Sequence, residues 1–338
     1  MQKINYTEFV KFFQSKIVPE VQPYEKYRIK LCKKLTFIPV AILFKIAIIF
    51  ITPLIFLFGV RIFGNTGTYA EVYQIIWMFV CFFTASFFFV SLFDSFEKKK
   101  HLEHTYNTTT KYAFYEKIFN LLGLNYSKDL SARTHIAKNI GEIGKKTGIY
   151  VGNIIVDDVV SGDYNNLPFT VSDVEISYVY KSKHILFYGL FLAIKTDKLY
   201  KGETIIQGKK TIFANHIIIN KSGINSKKFV KLEDVEFEKY FEVYGSDQVE
   251  SRYILTPAFM RRFLDYRKQK DCPIDVVFSN EIGLDKNLFF FVHTGKDHFE
   301  LPMDVSLLNQ NLIYGLIKEI TDILDIVDAL KLDQNIGL

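Results

Sequence analysis

Two long apolar runs lie in the first hundred residues and are separated by a short polar connection. The first run, residues 37–58, reads FIPVAILFKIAIIFITPLIFLF, and the second, residues 72–93, reads VYQIIWMFVCFFTASFFFVSLF. A helix of this length rises about 33 Å, which is enough to cross the hydrocarbon core of a bilayer. The connection, GVRIFGNTGTYAE, is short and rich in glycine. The pattern therefore predicts a hairpin of two antiparallel membrane-spanning helices.

The segment before the first run, residues 1–36, predicts an amphipathic, basic helix on the cytoplasmic side. One face carries three apolar residues at helical spacing, Phe9, Phe13 and Ile17. Thr7 is a candidate cap, and Pro19 is expected to end the helix. The helix either lies on the bilayer or packs on the helix that follows the second run. Packing is favoured, because Glu8 makes the polar face less basic than that of a membrane-surface helix.

Basic residues flank the hairpin on one side only. Eight of them lie beside the outer ends of the two runs: Lys26, Arg28, Lys30, Lys33 and Lys34 before the first, and Lys98, Lys99 and Lys100 after the second. The connection between the runs carries only Arg61. This asymmetry predicts that both termini lie in the cytoplasm, with the protein in the inner membrane, and the eight residues also favour anionic lipid head groups. The long, charged first 36 residues are not typical of a cleaved signal peptide.

One ionisable residue, Lys45, interrupts the first apolar run. It lies eight residues inside that run, about 12 Å along a helix. It either pairs across the hairpin with Thr84 or Ser86, or extends back to the cytoplasmic interface, which is the simpler reading. A small-residue patch that includes Cys81 on the second run indicates close helix packing.

The pattern changes after the membrane segment. Residues 94–150 predict a helical stalk, and residues 151–338 predict strands followed by a long amphipathic helix near the C-terminus. Alternation over TVSDVEISYVYK is typical of a strand, and Gly208-Lys209 suggests a hairpin turn. We therefore expect an α+β cytoplasmic domain of mainly antiparallel strands with flanking helices.

Charge and cysteine content narrow the function classes. The formal net charge is +5, but residues 1–93 hold ten Lys and Arg against four Asp and Glu, whereas the remainder holds 32 against 33. The basic excess thus lies beside the membrane, and we expect no nucleic-acid partner. The three cysteines are far apart and form no CxxC pair, which indicates neither a disulfide framework nor a zinc site and suits a reducing compartment.

A charged stretch, FEVYGSDQVESRYILTP at residues 241–257, raises the question of a catalytic cluster. It contains Asp247, Glu250 and Arg252 within six residues. Ser246 or Asp247 is a candidate cap for a short helix, with Glu250 at the capping-box position. Val249 and Tyr253 are then predicted to share the buried side of that helix. We interpret the stretch as a structural corner.

Motifs that carry chemistry are weak or missing. GEIGKKTG at residues 141–148 resembles a phosphate-binding loop but has the wrong spacing, and the chain contains no GxSxG, HExxH or GxGxxG. The pairs His101 with His104 and His293 with His298 could bind a metal with Asp297 or Glu300, but solvated histidines are the favoured reading. Asp157, Asp158 and Asp163 in VDDVVSGDYNN are predicted to lie in a loop, where turn chemistry competes with acid–base or cation chemistry.

The stretch DVEFEKYFEVYGSDQVESRYILTPAFMRRFLDYRKQ resembles the bacterial membrane-anchored family called domain of unknown function 3137. The segments GDYNNLPFTVSDVEI and FYGLFLAIKTDK fit the same pattern, as does the order of basic helix, two spans and soluble domain. The resemblance implies no activity, no catalytic residue and no cofactor. It implies one partner, because such proteins are sometimes encoded near LemA-type membrane proteins.

Two functional hypotheses follow. The first is a membrane-anchored binding or scaffold module, with the bilayer and a protein as its partners. The second is an enzyme, hydrolytic for example, with a site around Asp157, Asp158 and Asp163. Convergence of the three acids in a pocket would favour the second hypothesis, and their separation would weaken it.

Overall fold

The computed structural model of the chain describes residues 5–63, 70–147, 152–209, 228–280 and 286–332. The chain divides into two units that interleave along the sequence. One unit comprises residues up to 19, 115–301 and from 309 onward, and the other comprises residues 20–114 and 302–308. The four consecutive segments expected from the sequence stay a prediction.

Two long helices dominate the second unit. Helix α2 spans Val18–Phe63 and helix α3 spans Ala70–Thr105. Both are long and apolar enough to cross a membrane, and only 6% of the most apolar window of each is buried. A core helix of a soluble protein buries most of its apolar surface, so exposure on this scale fits the predicted membrane hairpin. Pro23, Pro39 and Pro53 lie inside α2 without ending it.

The N-terminal helix differs from expectation at both ends. Helix α1 spans Tyr6–Phe12, and its cap is Asn5, in a capping box with Glu8, where Thr7 was the candidate. Pro19 does not end the helix, because a π-helical turn at Phe13–Ile17 leads directly into α2. In a π-helical turn each amide bonds to the carbonyl five residues earlier instead of four. This changed hydrogen bonding just before Pro19 lets the helix continue although proline has no amide proton to donate.

The N-terminal helix packs on the C-terminal helix, whereas the expected partner was the helix that follows the second run. The C-terminal helix, α9, spans Gln310–Leu330. The ring of Tyr314 lies 5.0 Å from that of Tyr6 and 5.1 Å from that of Phe9. The three residues of the predicted apolar face, Phe9, Phe13 and Ile17, are at most 3% exposed. Helix α1 thus contributes to the core of the sheet-containing unit.

The first unit is built on a sheet of nine described strands, in the order β1-β2-β3-β4-β9-β8-β5-β7-β6, and every described pair is antiparallel. The strands are β1 Asn125–Ser127, β2 Asn153–Tyr164, β3 Leu167–Tyr180, β4 Ser182–Ile194, β5 Glu203–Gly208, β6 Lys228–Phe229, β7 Phe241–Gly245, β8 Ile274–Ser279 and β9 Leu288–Val292. The predicted partner strand after Gly208-Lys209 lies outside the described residues. The predicted α+β class, with mainly antiparallel strands, is confirmed.

Helices cover both faces of the sheet. Helix α5 (Leu130–Thr147) packs on one face, where Ile140 and Val277 share a core. Helix α8 (Pro257–Lys270) packs on the other face, where the rings of Phe259 and Phe278 lie 6.1 Å apart. Val277 and Phe278 are neighbours in β8 and therefore point to opposite faces. Three shorter helices complete the described set: α4 Lys111–Leu121, α6 Val235–Tyr240 and α7 Gln248–Ile254.

We predict that Phe9→Ala destabilises the sheet-containing unit. Phe9 is fully buried against α9, so its truncation should lower the free energy of unfolding by about 3–5 kcal/mol. Chemical unfolding of the detergent-solubilised chain, monitored by far-UV circular dichroism, measures this loss of unfolding free energy. Lys11→Ala, on the exposed face of the same helix, is the matched control and should change stability by less than about 0.5 kcal/mol. Equal midpoints for Phe9→Ala and the unaltered chain would contradict the assigned packing.

Candidate functional site

The segment after β9, residues 293–300, carries two buried histidines, and we call it the histidine loop. The side chains of His293 and His298 are 9% and 4% exposed. The prediction of solvated histidines is therefore wrong for this pair, because both rings turn inward and find polar partners. His101 and His104 are exposed, as expected.

His293 pairs with an acid on the neighbouring strand. Its Nε2 lies 2.6 Å from Oδ2 of Asp275 in β8, and the other carboxylate oxygen accepts a hydrogen bond from the amide of Gly208 at 2.7 Å. Cys272 lies nearby, and its thiol donates to the backbone oxygen of His293 at 3.0 Å. Burial raises the pKa of Cys272 to about 11. The trio of Cys272, His293 and Asp275 thus lacks the thiolate that nucleophilic catalysis requires.

His298 joins the histidine loop to helix α9. Its Nε2 lies 2.7 Å from the hydroxyl of Thr294, and its Nδ1 lies 3.5 Å from Glu319 of α9. Glu319 also accepts from the amide of Phe299 at 3.0 Å and from Nζ of Lys296 at 3.2 Å. Burial opposes ionisation of Glu319, but the contacts with His298, the amide and Lys296 outweigh it and lower its pKa to about 2. This carboxylate stays charged and fixes the loop.

Asp173 of β3 faces the same loop and behaves in the opposite way. It is 3% exposed, and its Oδ2 accepts from the amide of His298 at 2.7 Å. Burial, together with a hydrogen bond shared with the exposed Asp297, raises the pKa of Asp173 to about 8. Asp173 is therefore largely protonated at neutral pH. It can hold or release a proton near physiological pH, which is the main chemical capacity of this region.

The three acids of the enzyme hypothesis do not come together. They lie on strand β2, where a loop was predicted, because a bulge between Val156 and Val159 accommodates two consecutive aspartates. Asp158 is buried and accepts from the hydroxyl of Tyr126. Asp157 is half-buried beside Arg133 of α5, and Asp163 is exposed near the far end of the strand.

Two further sequence candidates have structural explanations. GEIGKKTG lies in helix α5 up to Thr147, so this part is not a loop, and Gly148 lies outside the described residues. Among the residues that the structure describes, no group of three His, Cys, Asp or Glu side chains is placed to hold a metal ion.

The charged stretch at residues 241–257 forms a corner between β7 and helix α7. Asp247 caps α7 by accepting from the amides of Val249 and Glu250 at 2.8 and 3.0 Å, which is worth about 1 kcal/mol. The carboxylate of Glu250 accepts from the amide of Lys201 at 3.3 Å. Arg252 donates to the backbone oxygen of Lys231 at 3.1 Å.

One part of the corner prediction is wrong. Val249 and Tyr253 are 79% and 67% exposed, whereas Ser251 and Ile254 form the buried side of α7. The hydroxyl of Ser251 forms a hydrogen bond with that of Thr204 in β5 at 2.9 Å. The helix therefore turns Ser251 toward the sheet, and Val249 and Tyr253 remain on its exposed side. Hydrophobicity alone could not reveal this hydroxyl pair.

Lys45 pairs across the hairpin with partners other than those predicted. Its Nζ donates to the backbone oxygen of Ser91 at 2.7 Å and to the hydroxyl of Ser95 at 2.6 Å. Thr84 donates to backbone oxygens of its own helix, and Ser86 is half-buried. The side chain of Lys45 thus extends toward the end of the second run, in the direction of the simpler reading, and contacts Ser91 and Ser95 instead of Thr84 and Ser86.

An ion pair in the N-terminal part of α2 holds residues 302–308. Two nitrogens of Arg28 bond to the two oxygens of Glu25, both at 2.8 Å, and the third bonds to the backbone oxygen of Met303 at 2.7 Å. Glu25 also accepts from Ser306 Oγ at 2.9 Å and from the amide of Leu307 at 2.8 Å. Burial alone would raise the pKa of Glu25, but these hydrogen bonds lower it. Arg28 is 8% exposed, so its expected contact with lipid head groups is wrong.

We predict that Asp173→Asn removes a pH dependence of stability. Between about pH 4 and pH 8 the folded chain holds a proton on Asp173 that the unfolded chain has released, so stability falls as pH rises. Asparagine keeps the acceptor for His298 and carries no such proton. The variant should therefore gain stability relative to the unaltered chain by up to about 1.4 kcal/mol per pH unit, levelling off above pH 8. Unfolding midpoints at pH 4–9 measure this gain.

Glu319→Gln is the control for this measurement. The lowered pKa of Glu319 means that its stabilising effect is complete above about pH 4.5 and is lost only as the pH falls toward 2. The cost of Glu319→Gln should therefore be constant between pH 5 and pH 9. A constant difference for Asp173→Asn over the same range would show that Asp173 is ionised in the folded chain.

Comparison with known proteins supports the resemblance over one part of the chain. No curated protein and no solved structure matches the chain significantly. A family described as "Protein of unknown function (DUF3137)" matches residues 185–332, which include the charged corner, the histidine loop and all of helix α9. The segment GDYNNLPFTVSDVEI, with Asp173, lies before the match. The chain is therefore similar to this family of proteins of unknown function over residues 185–332.

Proposed function

We propose that the chain is a membrane-anchored binding or scaffold module at the inner face of a bacterial membrane. Helices α2 and α3 cross the bilayer as a hairpin, both termini are cytoplasmic, and the sheet-containing unit binds a protein partner. The observation that carries the anchoring is the exposure of the apolar helices, since only 6% of the most apolar window of each is buried. In water such a surface would aggregate, whereas in lipid it is solvated.

Charge supports the proposed orientation. Lys26, Lys30, Lys33 and Lys34 are exposed on α2 just before the apolar run, and Lys98, Lys99 and Lys100 are exposed on α3 just after it. Lys98 forms an ion pair with Asp94 at 2.6 Å, and Lys99 forms one with Glu103 at 3.8 Å. Basic residues of this kind stay on the cytoplasmic side during insertion.

A surface on helix α7 supports a protein partner. Val249 and Tyr253 are one helical turn apart and mostly exposed, and neither contributes to the core. The side chain of Gln248 donates to backbone oxygens of strand β6. These bonds bring the half-exposed Phe229 of β6 next to helix α7. Exposed aromatic and aliphatic side chains on a rigid helix are typical anchors of protein interfaces. A LemA-type membrane protein is the candidate partner that the family resemblance suggests.

The enzyme alternative has less support. Asp157, Asp158 and Asp163 lie apart along β2, and the raised pKa of Cys272 disfavours a thiolate. The protonated carboxyl group of Asp173 has no neighbouring nucleophile among the described contacts. We therefore prefer the binding hypothesis.

We predict that single cysteines report the orientation of the hairpin. In a chain whose three native cysteines are replaced by serine, Thr66→Cys lies between the spans and should react with a membrane-impermeant maleimide in intact cells. Ser15→Cys and Lys145→Cys should react only after lysis. Extraction with alkaline carbonate should leave every variant in the membrane fraction.

The reverse labelling pattern would overturn the orientation. Labelling of all three positions in intact cells, with release by carbonate, would overturn the membrane anchoring itself.

We predict that the α7 surface can be altered without loss of stability but with loss of the partner. Val249→Glu with Tyr253→Glu should change the unfolding midpoint little, because both side chains are exposed. The same change should abolish co-purification of a co-expressed LemA-type protein from detergent-solubilised membranes. Val179→Glu, 80% exposed at the end of β3, is the matched control and should retain the partner.

Equal recovery of the LemA-type protein with both variants would exclude α7 as its binding surface. A large drop in the midpoint of the double variant would show that these side chains are structural.

A further inference from the structure

Contacts along the hairpin define the register of its two helices. Near the connection, Nε1 of Trp77 donates to the backbone oxygen of Ile55 at 3.3 Å. Near the opposite end, Lys45 bonds to Ser91 and Ser95. These contacts place Lys45 level with the last turn of the second apolar run.

This register changes the depth of Lys45. The second run ends at Phe93 and is followed by Asp94, and Ser95 lies one helical turn, about 5 Å, before Lys98. The ammonium group of Lys45 therefore lies at the cytoplasmic boundary of the hydrocarbon. It reaches this depth because the long side chain of Lys45 extends toward Ser95, beyond the end of the second run.

The charge of Lys45 is not balanced by its partners. Both acceptors, a backbone carbonyl and a serine hydroxyl, are neutral. Within the described residues no Asp or Glu forms an ion pair with Lys45, and the adjacent Asp94 is paired with Lys98 at 2.6 Å. A lysine ammonium has three N–H donors, so one remains beyond the two that the serines occupy. A cation at the edge of the hydrocarbon is costly without a counter-ion.

We infer that Lys45 binds the phosphate of an anionic membrane lipid in the cytoplasmic leaflet, with Ser91 and Ser95 holding its ammonium group in place. This inference rests on the membrane anchoring proposed above. Lipid phosphates lie just outside the hydrocarbon, at the depth that the register assigns to Lys45. Ser95 is 6% exposed, whereas Lys45 is only partly buried, so its ammonium is fixed by the serines and still accessible to a lipid. The site is distinct from the exposed lysines that flank the hairpin, whose attraction for anionic lipid is general.

Native mass spectrometry of the full chain, titrated with phosphatidylglycerol in detergent, tests the inference. The unaltered chain should retain phosphatidylglycerol in preference to phosphatidylcholine. Lys45→Met should weaken that retention about five-fold, and Lys45→Arg should largely preserve it. Ser95→Ala removes one of the two acceptors that hold the ammonium and should give an intermediate loss. Lys98→Met is the charge-matched control and should lose no more than about two-fold, because Asp94 already neutralises Lys98.

Several results would overturn the inference. One is equal retention of phosphatidylglycerol by Lys45→Met and the unaltered chain. Another is equal retention of the two lipids by the unaltered chain. A third is displacement of phosphatidylglycerol by inorganic phosphate, which would make free phosphate the ligand. Circular dichroism of each variant checks its helical content, and Ser95→Ala tests the site if Lys45→Met does not fold. Carbonate extraction of the unaltered chain separates the two levels of failure. Release of that chain would reject the anchoring, whereas its retention together with unselective lipid binding would reject only the lipid site.

Discussion

The sheet-containing unit depends on a sheet that helices cover on both faces. Where a helix covers a strand, a buried polar side chain of that strand is costly unless it finds a partner within the protein. Asp275 contacts His293, Asp158 accepts a hydrogen bond from Tyr126, and Asp173 accepts one from the histidine loop. Two-sided burial also explains why neighbouring carboxyl groups differ so strongly. Glu319 has enough donors to remain ionised, whereas Asp173, beside a second carboxyl group, keeps a proton.

The sequence predicted the elements well where one physical signal dominated. The apolar runs, the α+β class and the amphipathic C-terminal helix follow from length and periodicity, and the cap at Asp247 follows from local hydrogen bonding. The candidate site was missed, because a polar position in a strand was taken as solvent-facing. Asp173 lies in an alternating strand, and nothing in its neighbours indicates that residues 293–300, more than a hundred positions later, cover it.

Other errors came from long-range geometry. Periodicity placed Tyr253 on the buried side of α7, but a hydroxyl contact between Ser251 and Thr204 sets the rotation of that short helix. The partners of Lys45 were misjudged because apolar windows fix the depth of a span only to within about a turn. Both cases depend on which residues of a distant element lie opposite, and a single sequence does not contain that register.

The ion pair of Glu25 and Arg28 has a consequence for the order of events during synthesis. The carbonyl of Met303 that completes the bonding of Arg28 is made 275 residues after the arginine. At about 5–20 residues per second, the ribosome needs on the order of tens of seconds to produce it. Throughout this interval α2 has already been synthesised, but its N-terminal part lacks the hydrogen bonds that residues 302–308 supply. Docking of residues 302–308 on α2 is thus a late step. It completes the hydrogen bonds of Glu25 and Arg28 only after nearly the whole chain has emerged from the ribosome.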